Sequence, residues 1–211
     1  MIDSFANALG LGAHDPAFWM PLAFLALFLL IIVAGTVLDG FDIGVGCLSL
    51  LAPDSLRPRM LSLLSPWRDA NEFWLFLGLG LFVCAFPKAW GAVMGGLYEP
   101  LCALGVGVFA RSVSFEFRLR APVERQSRWQ MGFALGSWLT AFSHGVLLAQ
   151  VVVGFQSDAG YIWFSVFMGL CAIAAYCLLG ASWLIMREAG ELRARAVNWG
   201  RRSVRWFAAG A

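Results

Sequence analysis

The sequence predicts an all-α protein, a polytopic transmembrane helix bundle with about five spans that forms a single membrane domain over residues 1–211. Of the 211 residues, 60% are hydrophobic and only 13% are charged, and the mean hydropathy is +0.75. Soluble domains have about twice that charged fraction. Apolar stretches of the length that crosses a bilayer recur along the chain, and the arginines lie between them. This alternation is typical of a multi-pass membrane protein.

Five apolar segments are the predicted spans, at residues 17–45, 70–93, 95–116, 129–154 and 161–186. The first is overlong for one crossing, so its inner half should tilt, protrude or pack against protein. The second and third are hard to separate. Pro87, Lys88, Gly95 and Gly96 surround their boundary, and we expect the outer turn among these residues.

The basic residues predict the orientation of the bundle in the lipid bilayer. Arginines cluster after the first, third and fifth spans, whereas the second connection has only Lys88 and the fourth has Asp158 with no base. By the positive-inside rule the basic regions are cytoplasmic and the N-terminus is periplasmic, in a bacterial inner membrane. Residues 187–211 are either a basic, amphipathic cytoplasmic tail on anionic lipid or the start of a sixth helix. A net charge of +2 indicates no nucleic-acid partner.

Two carboxylates, Asp39 and Asp42, interrupt the first apolar segment. Being three residues apart, they lie near one face of a helix. Ionisable groups within a membrane are costly, which makes these two candidates for function, unless the helix end simply reaches cytoplasmic water. Four flanking glycines let another helix approach closely: Gly35, Gly40, Gly44 and Gly46.

A second polar group begins the second span, where Asp69, Asn71 and Glu72 follow Arg68. Acids in the first turn of a helix suit its positive dipole end, which is the structural alternative. Because they share a depth with the acids of the first span, the two groups could together line a proton entry path. Arg68 would neutralise part of that charge.

Other ionisable residues give weaker signals. Arg111 and Glu116 stand near the cytoplasmic end of the third span, where we expect a loop-edge ion pair, the alternative being a buried partner for Asp39 or Asp42. His144 is the only histidine within a span, and we expect it to hydrogen-bond across a packed interface rather than to bind haem. The five cysteines form no C-x-x-C pair, so no metal site is predicted.

Four motifs occur in order along the chain: D-G-F-D-I-G-V-G (Asp39–Gly46), W-R-D-A-N-E-F-W (Trp67–Trp74), S-F-E-F-R (Ser114–Arg118) and G-A-S-W-L-I-M-R-E-A-G-E-L (Gly180–Leu192). In series, they resemble the N-terminal half of subunit II of cytochrome bd-type quinol oxidases, including the cyanide-insensitive branch. The resemblance covers nearly the whole chain.

The resemblance implies a partner role. In that family subunit I holds haem b and haem d and the quinol site, while subunit II packs beside it, stabilises it and binds no haem. The complex oxidises quinol (ubiquinol or menaquinol), reduces O2 to water and takes protons from the cytoplasm. It further implies a proton path through Asp69, with Asp39 and Asp42 nearby, and oxygen access at Trp74. The supporting polar residues are Arg68, Asn71, Glu72, Arg111 and Glu116.

The chain departs from the family pattern in three respects. Arg68 directly precedes Asp69, with Trp67 displaced by one and Ala70 in place of a glycine, and this cation should hold Asp69 ionised. Ser112 stands where the family usually has proline. The family has two related halves, of which this chain resembles the first, so that a truncation, a split subunit and a natural short form are all open.

Two other functions fit the same residues. The chain could be a scaffold that only stabilises the haem-bearing subunit, and it would then differ from the first interpretation only in whether the acids conduct protons. It could also be a small stand-alone transporter that uses Asp39 and Asp42. A transporter should show an internal inverted repeat with broken helices, and no convincing one is visible in 211 residues.

Overall fold

The computed structural model describes residues 2–12, 14–64, 67–156 and 158–210, and in these ranges all regular structure is helical. The all-α prediction is confirmed. The helices are α1 (Ile2–Ala8), α2 (Pro16–Ser49), α3 (Arg57–Ser62), α4 (Arg68–Ala85), α5 (Pro87–Phe117), α6 (Val123–Val152), α7 (Ala159–Arg187) and α8 (Gly190–Gly210).

Helix α2 is divided into an exposed outer half and a buried inner half. Its 34 residues extend about 51 Å, well beyond the roughly 30 Å of a bilayer core. Asp15 caps its start by accepting a hydrogen bond from the Ala17 amide at 2.9 Å. Before residue 39 only Phe18 and Ile31 are buried, whereas residues 39–49 are buried apart from the half-buried Phe41. The sequence left three outcomes open for the inner half of this overlong helix: tilting, protrusion or packing against protein. In the structure the inner half packs against protein.

Helix α4 runs antiparallel along the outer half of α2. The Asn71 amide lies at the level of Asp42, and Phe82 lies at the level of Phe28, with 5.3 Å between the two ring centroids. The two helices therefore share about 14 residues of α2, or about 21 Å of helix axis. Their facing sides pack together while their outer sides remain exposed.

The remaining helices form a packed bundle around the inner half of α2. Helix α5 packs along α6, α6 packs along α7, and α7 also contacts α2 and α8. Helices α2 and α7 cross where Gly44 faces Gly180, since a Cβ atom on either glycine would collide with the backbone of the other helix. The close approach predicted from the glycines of the first motif is confirmed at this crossing.

The predicted spans correspond to helices α2, α4, α5, α6 and α7. Four of these, α2, α5, α6 and α7, are long and apolar enough to cross a membrane. Helix α4 differs because its 18 residues include the three charges of Arg68, Asp69 and Glu72. Its crossing of the membrane, like the periplasmic position of the N-terminus, stays a prediction.

The predicted boundary between the second and third spans, at residues 93–95, is wrong. Helix α4 ends at Ala85 and α5 begins at Pro87, eight residues or so earlier, with Phe86 between them in a non-helical conformation. Proline lacks the amide proton that an interior helix position needs, but it suits the first turn of a new helix. The glycines at 95 and 96 lie within α5 and do not end a helix.

The C-terminal segment 187–211 contains the amphipathic helix α8. It begins at Gly190, whose φ of +65° suits the turn after α7. One face of the helix is buried and packs on α7, and the arginines point to the exposed side. The buried residues are Leu192, Ala196, Trp199, Gly200 and Ser203.

Candidate functional site

A buried ion pair joins α2 to α5. The guanidinium of Arg111 donates to both carboxylate oxygens of Asp39, from Nη1 at 2.9 Å and from Nη2 at 2.6 Å. Arg111 is fully buried. The approach of α6 encloses it, because a Cβ atom on Gly136 would lie 2.7 Å from the Arg111 backbone nitrogen. This two-pronged geometry is the strongest form of arginine–carboxylate contact.

From this pair, a chain of charged contacts leads to the surface. Arg111 lies 3.4 Å from Glu72, and Glu72 accepts a hydrogen bond from Arg68 at 2.7 Å. Arg68 also donates to Asp69 at 2.9 Å. The side chain of Asp69 is 91% exposed, whereas that of Glu72 is only 13% exposed. Alternating acids and bases thus connect an exposed carboxylate to the buried Asp39.

A second buried carboxylate, Asp42, lies beside this chain. It is 2% exposed, and its Oδ2 accepts a hydrogen bond from the side-chain amide of Asn71 at 2.9 Å. Asn71 and Glu72 are neighbours on α4, where Asn71 contacts Asp42 directly and Glu72 is linked to Asp39 only through Arg111 of α5. The described residues provide no arginine or lysine in an ion pair with Asp42.

The predicted loop-edge ion pair between Arg111 and Glu116 is wrong. Glu116 is exposed and pairs with Arg120, whereas Arg111 is the buried partner of Asp39, which was the alternative. The two residues are five positions apart, which places them on different sides of α5, whereas Glu116 and Arg120 are four apart and share a side. The sequence contains a signal for this pairing. Arg111 is the one basic residue between Lys88 and Arg118, and a lone cation in an apolar segment needs a buried acid as its partner.

The charged contacts described above form one cluster, called the charged cluster here. Ser112 also belongs to it, although the sequence indicated this serine only as a departure from the family pattern. The other members are Asp39, Asp42, Arg68, Asp69, Asn71, Glu72 and Arg111. Its Oγ lies 2.9 Å from Oε2 of Glu72 and 2.8 Å from the Val108 carbonyl oxygen. The hydroxyl has one proton and can donate to only one of them at a time. Two donors in the cluster, the Nε groups of Arg68 and Arg111, have no partner among the described residues.

Trp74 lies one turn further along α4 than Asn71 and is half-buried. Its Cβ atom would lie 2.9 Å from a Cβ placed on Gly35, so the absence of a side chain at Gly35 allows the tryptophan backbone to contact α2. Phe73 and Phe76, on the other side of α4, are exposed.

His144 lies half-buried between α6 and α7, and its Nδ1 lies 2.9 Å from the hydroxyl of Tyr176. The predicted hydrogen bond across a packed helix interface is confirmed. Among the described residues, no group of three or more His, Cys, Asp or Glu side chains could hold a metal ion.

Comparison with known proteins identifies relatives of this chain. The family model for cytochrome bd terminal oxidase subunit II matches residues 20–211. Cytochrome bd-I ubiquinol oxidase subunit 2 of Escherichia coli (strain K12) is 28% identical over 182 residues, which cover 78% of this chain and 48% of that protein. Cytochrome bd ubiquinol oxidase subunit 2 of Bacillus subtilis (strain 168) is 30% identical over 172 residues, covering 75% and 51%.

A third relative, the probable cytochrome oxidase subunit 2 of Haemophilus influenzae, is 27% identical over 188 residues, covering 81% of this chain and 50% of that protein. The chain thus spans about half the length of the curated relatives it matches. The family model covers more than nine-tenths of the chain, including all the helices that build the charged cluster. The chain therefore belongs to the cytochrome bd terminal oxidase subunit II family.

Proposed function

We propose that this chain acts as subunit II of a bd-type terminal oxidase, and that its charged cluster leads protons from the cytoplasm towards a haem-bearing subunit I. The complex oxidises quinol and reduces O2 to water in the bacterial inner membrane. The observation that carries the proton path is a group of carboxylates that leads inward from the exposed Asp69 through Glu72 towards the buried Asp42. Arg68, Arg111 and Asn71 hold these carboxylates in place.

The members of the cluster have different roles in this proposal. Asp69, at the exposed end, collects protons, and Glu72 and Asp42 are the next carboxylates inward. Asp39 is held by both nitrogens of Arg111 and fixes the geometry. The Nε–H groups of Arg68 and Arg111, which have no partner among the described residues, are free to donate to water.

Haem b and haem d belong, in this proposal, to subunit I, where they supply the electron transfer and oxygen chemistry. The one histidine inside a span, His144, already interacts through Nδ1 with Tyr176. Trp74 is the proposed point of oxygen access on this chain, since it is half-buried between the exposed face of α4 and Gly35 of α2.

A scaffold role is the second candidate, and the Arg111–Asp39 pair favours it. This pair joins helices that are far apart in sequence, and a carboxylate bound at both oxygens is better suited to holding helices together than to carrying protons. In a scaffold the acids would position α4 against α2 and subunit I without conducting protons.

Affinity purification of the tagged chain from its native membrane tests the assignment to an oxidase. We expect a haem-bearing partner to co-purify and the preparation to consume oxygen with a quinol as electron donor. The chain expressed without that partner should show no Soret band. Stoichiometric haem on the isolated chain, or a preparation without quinol oxidase activity, would contradict the proposal.

Replacement of Asp42 by asparagine separates the proton path from the scaffold. Asparagine keeps the shape and hydrogen bonding but carries no titrating proton. A proton path predicts slower oxygen consumption at normal haem content per complex. Glu116→Gln is the matched control, since Glu116 is an exposed acid paired with Arg120 outside the cluster. Normal turnover in Asp42→Asn would remove Asp42 from the path.

A further inference from the structure

A half-open cleft lies at the end of the bundle where α5 is followed by α6, and it is separate from the charged cluster. Its volume is about 340 Å³, at the lower end of the range of roughly 300–1,000 Å³ for pockets that bind small molecules. Its walls come from α3, from the α5–α6 connection and from the first turns of α6. The lining residues are Pro58, Ser62, Arg118, Leu119, Gln126 and Gln130.

Arg118 is a buried cation in this cleft, with only 4% of its surface exposed. The acid nearest to it in sequence, Glu116, is paired with Arg120, and the described residues contribute no carboxylate to an ion pair with Arg118. Its guanidinium lies over the ring of Phe115, 3.6 Å from the centroid. Buried charges are normally paired, so an unpaired arginine at the wall of a cleft indicates an external anion.

The ring of Phe115 lies between Arg118 and the charged cluster. The guanidinium of Arg68 also contacts that ring, 4.4 Å from its centroid, but Arg68 is neutralised by Asp69 and Glu72. Burial, with the nearby charge of Arg68, lowers the pKa of Arg118 to about 10. The charge of Glu116 opposes this shift without cancelling it, as expected where no carboxylate forms an ion pair with the guanidinium.

Donors are available around the cleft. Arg118 makes two hydrogen bonds with the described residues, to the Phe115 carbonyl at 3.2 Å and the Leu61 carbonyl at 3.4 Å, which leaves three of its five N–H groups. Gln126 uses one amide proton on the Ala121 carbonyl. The amide of Gln130, which is also buried, contributes two further donors.

We propose that this cleft binds a phosphate group through Arg118, with the amides of Gln126 and Gln130 as additional donors. Residues 116–128 contain four arginines and two glutamates, so the surroundings favour an anion. The phosphate belongs either to a lipid headgroup, since this turn is predicted at the cytoplasmic membrane surface, or to a free phosphate anion. Arginine presents a planar fork of donors that matches phosphate oxygens.

Two probes distinguish the two sources in the protein purified with its accompanying subunits. Native mass spectrometry counts the phospholipids retained per complex, and equilibrium dialysis measures binding of radiolabelled inorganic phosphate after delipidation. Arg118→Gln should weaken binding of the retained phospholipid or of inorganic phosphate about tenfold, because charged hydrogen bonds are lost. Arg120→Gln removes the same charge two residues away and should bind as the wild type does.

Retention of a phospholipid that Arg118→Gln loses identifies the headgroup, and phosphate binding without lipid retention identifies the free anion. Gln130→Leu leaves the contact of Arg118 with Phe115 in place and should weaken binding about threefold, even if Arg118→Gln folds poorly. Binding of neither probe to the wild type, or equal binding by Gln130→Leu and the wild type, would overturn the proposal.

Discussion

At the scale of single residues, the Arg111–Asp39 pair sets what each neighbouring charge can do. Arg111 has no solvent contact, and both of its terminal nitrogens donate to Asp39. The same guanidinium approaches Glu72, so the charge of one arginine is shared by two acids. The two interior carboxylates therefore differ in character, with Asp39 held by a cation and Asp42 held by a neutral amide.

Replacement of Arg111 by leucine should lower the free energy of unfolding by about 3–5 kcal/mol, because it leaves Asp39 as an uncompensated buried charge. Denaturation of the purified protein followed by circular dichroism measures this change. The control Arg120→Leu breaks an exposed pair and should cost no more than about 1 kcal/mol. Equal stability of the two variants would mean that the buried pair does not hold α2 against α5.

At the scale of helices, the α2–α7 crossing depends on the absence of two side chains. A Cβ atom on Gly44 would collide with the Tyr176 carbonyl oxygen, and one on Gly180 would collide with the backbone of Gly44. These are backbone contacts, so no rotamer change can relieve them. The crossing also fixes the part of α2 that bears Asp39 and Asp42.

Replacement of Gly44 by valine should separate α2 from α7 and lower the free energy of unfolding by about 1–3 kcal/mol or more, the usual cost of overpacking. Thermal denaturation checks this, and haem content per complex reports assembly. Gly80→Val is the matched control, since nothing lies within 4 Å of a Cβ at that helical glycine. A destabilised Gly80→Val with an unaffected Gly44→Val would contradict the proposed crossing.

The boundaries of the helices were predictable to the extent that local chemistry decides them. Pro87 marks the start of α5 correctly, but Gly95 and Gly96 gave an equally strong turn signal, and sequence cannot tell a helical glycine from a turn glycine. In the structure, Gly96 instead lies against Phe155, a contact between residues nearly 60 positions apart. The short helix α3 gave no signal because it spans only six residues.

At the scale of the whole molecule, the alternation of arginine-rich connections with connections that have no arginine predicts five crossings. Reporter fusions after Glu124 should give a cytoplasmic signal, and fusions after Asp158 a periplasmic one. This pair of fusions brackets α6, and a further fusion in the α4–α5 turn, after Phe86, should be periplasmic. A cytoplasmic signal at Phe86 would show that α4 does not cross the membrane.

The identity of the charged residues was visible in the sequence, but their partners were not. The motifs pointed to Asp39, Asp42 and Asp69 as a group, and the structure joins Asp69 to Asp39 through intervening ion pairs. Arg111 is 72 positions from Asp39, and only the fold, in which α6 packs against both α2 and α5, brings the two residues together. The unpaired state of Arg118 likewise depends on which acids the fold brings near.

The turnover of the Asp69→Asn variant, measured as oxygen consumption per haem in the assembled complex, tests the central proposal most directly. Asp69 is the exposed end of the charged chain, so its replacement removes the entry point and leaves the buried pairs in place. We predict turnover slowed by about tenfold or more at normal haem content, with Glu116→Gln unaffected. Wild-type turnover in Asp69→Asn would contradict the proton path and leave the scaffold role.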